Sequence, residues 1–133
     1  MSSRPRMVPR PTESELSILN VLWERGPSTV REVRKALTQG DDTGYTTSLK
    51  LLQIMHGKGL VQRDDHQRAH VYRAAVDKER TQMRFLRDLV QRVFDGSSSK
   101  LVLHALGSGP PATREELEEI RAMLDDLEKG APQ

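Results

Sequence analysis

Residues 45–73, YTTSLKLLQIMHGKGLVQRDDHQRAHVYR, leave this chain little freedom in how it folds. Leu49, Leu52 and Met55 recur at helical spacing, while Thr46, Thr47, Lys50 and Gln53 occupy another, polar face of the same helix, with Ser48 beside them. The run stops at Gly57-Lys58-Gly59, where glycine permits the left-handed backbone that ends a helix. Two β-prone segments follow, Leu60-Val61-Gln62-Arg63 and Ala69-His70-Val71-Tyr72-Arg73, on either side of the charged turn Asp64-Asp65-His66-Gln67-Arg68. A polar-faced helix running directly into a short hairpin is a restrictive order of elements.

The upstream residues supply what that order lacks. Leu16, Leu19, Leu22 and Trp23, widened by Ile18 and Val21, mark a helix of about three turns that ends at Gly26-Pro27. Ser28 or Thr29 caps a second helix with Val30, Val33, Ala36 and Leu37 as its apolar positions. The link Gln39-Gly40-Asp41-Asp42-Thr43-Gly44 leads to the third helix. Helix, helix, loop, helix and hairpin form a winged helix-turn-helix, which places its third helix in the DNA major groove. The expected fold class is mainly α with a small antiparallel β wing, followed by a C-terminal helical dimerisation domain. The expected boundaries are a flexible basic arm over 1–11, the winged domain over 12–76, the helical domain over 77–129 and a tail over 130–133.

Hydroxyl side chains at a helix start, followed by a lysine and an amide, suit a helix that approaches bases and phosphates with its N-terminal turns. Thr46, Thr47, Ser48, Lys50 and Gln53 are therefore candidate DNA-binding residues, and Arg63, Arg68, His70 and Arg73 join them from the wing. Asp64 and Asp65 at the turn argue against a purely electrostatic wing, so contacts are expected from its strands. Taken alone, the polar face is equally that of an ordinary solvated helix.

Charge distribution bears on that choice. Over all 133 residues the balance is 21 Lys+Arg against 19 Asp+Glu. Residues 1–76 carry 12 against 8 and residues 77–133 carry 9 against 11, so the excess of positive charge lies in the half with the wing, as phosphate binding requires. In the first residues, Arg4, Arg6 and Arg10 alternate with Pro5, Pro9 and Pro11, an extended arm that is either a minor-groove reader or a disordered basic tail. This segment lacks the apolar core of a signal peptide, and no run of about 18 apolar residues exists to span a membrane. The expected location is the cytoplasm.

The second half is entirely helical in pattern. Asp77 caps a helix whose stripe is Met83, Leu86, Val90 and Val93, broadened by Phe85, Leu89 and Phe94. Ser97-Ser98-Ser99 precedes a short apolar helix over Leu101-Val102-Leu103-His104-Ala105-Leu106, closed by Gly107 and Gly109. After Pro110-Pro111, Thr113 and Glu116 form a capping box for a last helix seamed by Leu117, Ile120, Leu124 and Leu127. Either these helices pack as a private monomeric bundle or they pair with a second copy. Their apolar faces exceed what so small a chain needs internally, which favours the dimer. The expected dimerisation residues are Leu86, Val90, Val93, Leu101, Leu103, Leu117, Ile120, Leu124 and Leu127.

The segments ELSILNVLWERGPSTVREVRKAL, YTTSLKLLQIMHGKGLVQRD and RAHVYRA closely resemble the penicillinase-repressor family of bacterial transcriptional regulators, the BlaI/MecI/CopY type. The resemblance is strong over residues 12–76 and looser to about 128. It rests on Leu22-Trp23 with Gly26-Pro27, on Tyr45-Thr46-Thr47, and on Lys58-Gly59-Leu60-Val61 followed by the wing strand ending at Tyr72. It implies a homodimeric repressor on an inverted-repeat operator. It also implies release by a signal at the dimerisation region, in some members through cleavage driven by a membrane sensor protease. The best-known members are cut between Asn and Phe, where this chain has His104-Ala105, a change that alters side-chain recognition and gives no ground for assuming β-lactam induction.

The chain has no cysteine, which excludes disulfides, thiolate chemistry and the soft metal ligands of the family's copper-responsive branch. His56, His66, His70 and His104 are scattered, and a His66/His70 pair lacks a third ligand, so no metal and no cofactor is expected. No G-x-S-x-G, H-E-x-x-H, Walker or G-x-G-x-x-G pattern occurs, and Glu115-Glu116-Glu118-Glu119 reads as the acidic start of a helix, so no enzymatic activity is expected. Two other functions compete with DNA binding: a winged-helix protein-interaction module, and a dimeric regulator sensing a small ligand. An aromatic content of 4% leaves few side chains to line a pocket for the second.

Overall fold

The first helix, α1 (Glu13–Arg25), starts at a complete capping box in which Thr12 Oγ1 accepts from the Glu15 amide at 3.2 Å and the Glu15 carboxylate accepts from the Thr12 amide at 2.9 Å. The computed structural model containing it describes residues 8–37, 44–66 and 68–130. After α1 come β1 (Ser28–Thr29), α2 (Val30–Leu37), α3 (Tyr45–Lys58), β2 (Val61–Asp64), β3 (Val71–Ala74), α4 (Lys78–Val93), α5 (Ser98–Ser108) and α6 (Arg114–Gly130). The chain divides into two units, Met1–Leu86 and Arg87–Gln133.

In the first unit, Ile18, Leu19 and Leu22 of α1 meet Val30 and Val33 of α2, Leu52 and Met55 of α3, and Leu60, Val61 and Tyr72 in one buried core. Each helix contributes its apolar stripe, so the 3.6-residue periodicity read from the sequence is the packing of the domain. Gly26 and Gly59 end α1 and α3 with φ of 85° and 84°, a backbone in which a side chain is strained. The Gly59 amide donates to the His56 carbonyl and the Leu60 amide to that of Met55, which turns the chain directly into the wing.

The sheet has the order β1-β3-β2 and is antiparallel throughout. Tyr72, buried on the central strand, pairs with Ser28 on one side and with Arg63 on the other. The sequence pattern predicts only the two wing strands. β1 has two residues and no alternation, and it is a strand because the Ser28–Thr29 backbone satisfies the free edge of β3. Trp23 Nε1 donates to the Val76 carbonyl at 3.1 Å, fastening the chain after β3 to α1.

Residues 8–11 correct the expectation of a flexible arm over 1–11. Pro11 is buried, and Val8 packs against the core. The Val8 carbonyl accepts from Arg84 Nη1 at 2.7 Å, and the Arg10 guanidinium sits 5.1 Å from the centroid of the Phe85 ring. Proline keeps this segment extended, and an extended strip can lie along a helix and trade solvent for these contacts. Arg4 and Arg6 in the arm, Gln39 to Thr43 in the link and Gln67 in the wing turn lie outside the described residues.

In α4, Asp77 accepts from the Arg80 amide through its side chain, at 3.0 Å, and from the Thr81 amide through its carbonyl. In the second unit Ser97 caps α5, and Thr113 and Glu116 form the capping box of α6. Phe94 and His104 stack obliquely with ring centroids 5.5 Å apart. No residue of α5 or α6 is buried. No described helix is long and apolar enough to cross a membrane.

Candidate nucleic-acid interface

The buried residues of α3 are Ser48, Leu52 and Met55, and this spacing sets which side chains face outward. Thr46, Thr47, Lys50 and Gln53 are exposed along the opposite face, beginning in the first turn. Ile54, 43% exposed, extends that face by one apolar group, and Tyr45, 45% exposed, stands at its head. Ser48 is a correction to the sequence reading. It is fully buried, because at i−4 from Leu52 it lies on the packing stripe, so its hydroxyl faces the core and not the exposed polar side of α3.

The wing holds most of its cations with its own groups. Arg63 Nε lies 2.7 Å from Asp65 Oδ1, and His70 Nδ1 lies 2.6 Å from the same oxygen. Burial acts to raise the Asp65 pKa, but hydrogen bonds from Arg63 and His70 more than reverse it and hold the carboxylate below its ordinary value. Asp65 is thus ionised at neutral pH and committed to two of the four wing candidates. Arg73 Nε donates to Gln62 Oε1 at 2.8 Å between directly paired residues of β3 and β2. Arg68 is exposed and has no partner of this kind among the described residues.

Glu15 and Lys58 form an ion pair that the sequence reading missed. Lys58 Nζ lies 2.9 Å from Glu15 Oε2 and 3.1 Å from Oε1, bridging α3 to α1. Periodicity could not reveal it, because each residue reads separately as part of a helix end. The resulting site is a positioned helix carrying hydroxyl, ammonium and amide groups outward beside a wing whose Arg63, His70 and Arg73 are held by internal hydrogen bonds.

Comparison with known proteins settles the lineage. The family model described as Penicillinase repressor matches residues 11–126. This chain belongs to the penicillinase repressor family. That family consists of transcriptional repressors, not enzymes. The Transcriptional regulator BlaI of Mycobacterium tuberculosis strain CDC 1551 / Oshkosh is 30% identical over 117 residues, 87% of this chain and 83% of that protein. The protein of the same name from strain ATCC 25618 / H37Rv matches equally. Among solved structures, the Bacillus licheniformis BlaI monomeric form in complex with the blaP half-operator is 23% identical. It covers 55% of this chain and 89% of its own, with a TM-score of 0.48. The penicillinase repressor match extends from the winged region through α4 and α5 into α6.

The expected pairing residues lie in these last helices. Val90, Leu101, Leu117 and Ile120 are half-buried. Leu86, Val93, Leu103, Leu124 and Leu127 are exposed, Leu103 by 71%. His104 and Ala105 are exposed within α5.

Proposed function

We propose that this repressor binds operator DNA sequence-specifically as a homodimer on an inverted repeat, in the cytoplasm, and that a signal acting on its helical region releases it. In this reading the winged domain over 12–76 binds DNA and the helical domain over 77–129 pairs the subunits. The observation that carries the DNA-binding half is the two-sided α3, with Ser48, Leu52 and Met55 buried and Thr46, Thr47, Lys50 and Gln53 exposed on its other face. Arg68 supplies a positioning contact to phosphate as it stands, and Arg63, His70 and Arg73 join it on leaving Asp65 and Gln62.

The exposed apolar seam of α5 and α6 supports the dimer. Fully burying one leucine contributes about 1.5–3 kcal/mol, so Leu103, Leu124 and Leu127 together represent a substantial driving force that their own helices leave unused. Two α3 helices held at fixed separation match major-groove half-sites one or more turns apart, and the pair binds far more tightly than either helix alone. A bound dimer blocks a promoter sterically. The releasing partner proposed is a membrane sensor protease, the signal implied by the resemblance, acting near the exposed His104-Ala105 bond.

A gel-shift titration of the purified chain against the promoter regions around its own gene, at two salt concentrations with competitor DNA, tests this reading. Competitor-resistant and salt-sensitive retention of one fragment is the expected result, with footprinting to locate two half-sites. Binding that resists salt, or no specific shift on any fragment, would move the function to protein–protein interaction.

A further inference from the structure

The arginines and the histidine flanking α3 from the wing and α2 fall into two groups. Arg63 and His70 are held by Asp65 and Arg73 by Gln62. Arg68, beside β3, and Arg31, in the first turn of α2, are exposed and carry no side-chain hydrogen bond or ion pair among the described residues. These two line one open cleft of about 710 Å³ between the N-terminal turns of α2 and α3 and the turn of the wing, together with Tyr45, Leu49 and His70.

We infer that this cleft seats a phosphodiester of the operator backbone, with Arg31 and Arg68 as its cations and Tyr45 as a hydrogen-bond donor. The inference rests on the DNA-binding reading above and extends it to two residues, Arg31 and Tyr45, that periodicity did not single out. A guanidinium presents a planar fork of N–H donors that matches two phosphate oxygens, and a phenol adds a neutral donor. Leu49, half-buried in the same lining, suits the apolar face of a deoxyribose. Among the described residues Arg31 and Arg68 have no carboxylate partner, so within this cleft they can meet phosphate without first breaking an internal bond. Arg63 and His70 would have to leave Asp65.

Position gives the seat its role. Tyr45 directly precedes Thr46, and Leu49 directly precedes Lys50, so a phosphate held here fixes the insertion and register of the α3 face that would read bases. Arg31 and Tyr45 are positioning residues, acting on affinity for every duplex rather than on choice among sequences.

The test uses the full chain and an operator duplex, with Arg31→Ala, Arg31→Lys, Tyr45→Phe and Lys50→Ala variants. Both Arg31 and Tyr45 are exposed, so unchanged thermal melting should accompany their replacement. Arg31→Ala is expected to weaken operator and nonspecific duplex alike by about tenfold and to lower the salt slope by about 0.9 for each subunit bound, and Arg31→Lys to restore most of the slope. Duplexes carrying one neutral methylphosphonate at a time should reveal a phosphate whose replacement weakens the unmodified protein but not Arg31→Ala. Unchanged slope and affinity in Arg31→Ala, with Lys50→Ala still altering binding, removes the seat and leaves DNA recognition standing. A lowered slope with identical methylphosphonate profiles in both proteins also overturns it, since Arg31 then adds only diffuse charge. Stabilisation by millimolar inorganic phosphate that disappears in Arg31→Ala, with DNA binding unaffected, reassigns the cleft to a small anion. Failure of the unmodified chain to bind any duplex specifically removes both readings.

Discussion

Lys58 at the end of α3 and Glu15 in the first turn of α1 form a two-point ion pair, with Nζ to Oε2 at 2.9 Å and Nζ to Oε1 at 3.1 Å. The Glu15 side chain is almost wholly buried, and the same carboxylate also accepts the Thr12 amide in the capping box of α1. One carboxylate therefore starts one helix and holds the far end of another, which fixes the direction in which α3 leaves the core. Glu15→Ala is expected to lower unfolding free energy by about 2 kcal/mol, below the usual cost of breaking a buried pair because Lys58 is a third exposed and recovers hydration. Denaturant unfolding of the full chain measures it, and a loss below about 0.5 kcal/mol would show the pair to be incidental.

The same pair gives a pH dependence of determined sign. Burial acts to raise the Glu15 pKa, but the hydrogen bond from the Thr12 backbone and the interactions with Lys58 outweigh it, leaving the value below 4.5 in the folded chain. A depressed folded value means that the unfolded state binds the proton first. The stabilisation is complete above about pH 4.5 and is lost as pH falls through the lower folded value. Stability profiles of the unmodified chain and Glu15→Gln should converge as pH drops below 4.5. Profiles that stay parallel would exclude Glu15 as the titrating group.

Asp65 restrains the wing by holding Arg63 and His70 at once. Asp65→Asn is expected to free Arg63 for phosphate, tighten binding to nonspecific duplex and steepen the salt slope by about 0.9 for each subunit bound. A slope unchanged in Asp65→Asn would mean that Arg63 stays out of reach of DNA in either state.

Ser48 offers a control within α3. Its Oγ is buried and has no hydrogen-bond partner among the described residues. Ser48→Ala is expected to leave DNA affinity unchanged and to be neutral or stabilising by up to about 1 kcal/mol, because an unpaired buried hydroxyl costs more than a methyl group. Loss of DNA binding with intact folding would return Ser48 to the interface.

Leu124 and Leu127 lie one turn apart on α6, 51% and 59% exposed. Replacing both with Asp should give a monomer by sedimentation velocity and lower operator affinity by about 100-fold or more through loss of the paired half-site. A dimer that survives both changes would place the interface elsewhere.

Much of the fold was legible because it is written in periodicity and caps. Leu49, Leu52 and Met55 marked α3, Thr113 with Glu116 marked α6, and Gly59 marked the turn into the wing. Elements defined by what they pair with were not legible. β1 is two residues that become a strand only beside β3, Glu15 and Lys58 look like surface charges until α1 and α3 cross, and Val8 with Pro11 reads as a tail until the core is there to receive it. On the proposed interface, residue type announced the polar face of α3, but Ser48 shows that type alone does not give facing. Arg31 reads in the sequence as an ordinary helix charge and joins Tyr45 and Arg68 only in three dimensions.

The absence of any buried residue in α5 and α6 bears on how the cell would meter this regulator. Helices whose apolar sides find no cover fold only as far as cover is supplied, so their folded fraction follows the concentration of whatever covers them. If that cover is a second copy, surplus single chains present ragged, degradable ends while paired chains do not. Turnover would then trim the pool toward the assembled form, and the amount of active regulator would be set by pairing as much as by synthesis.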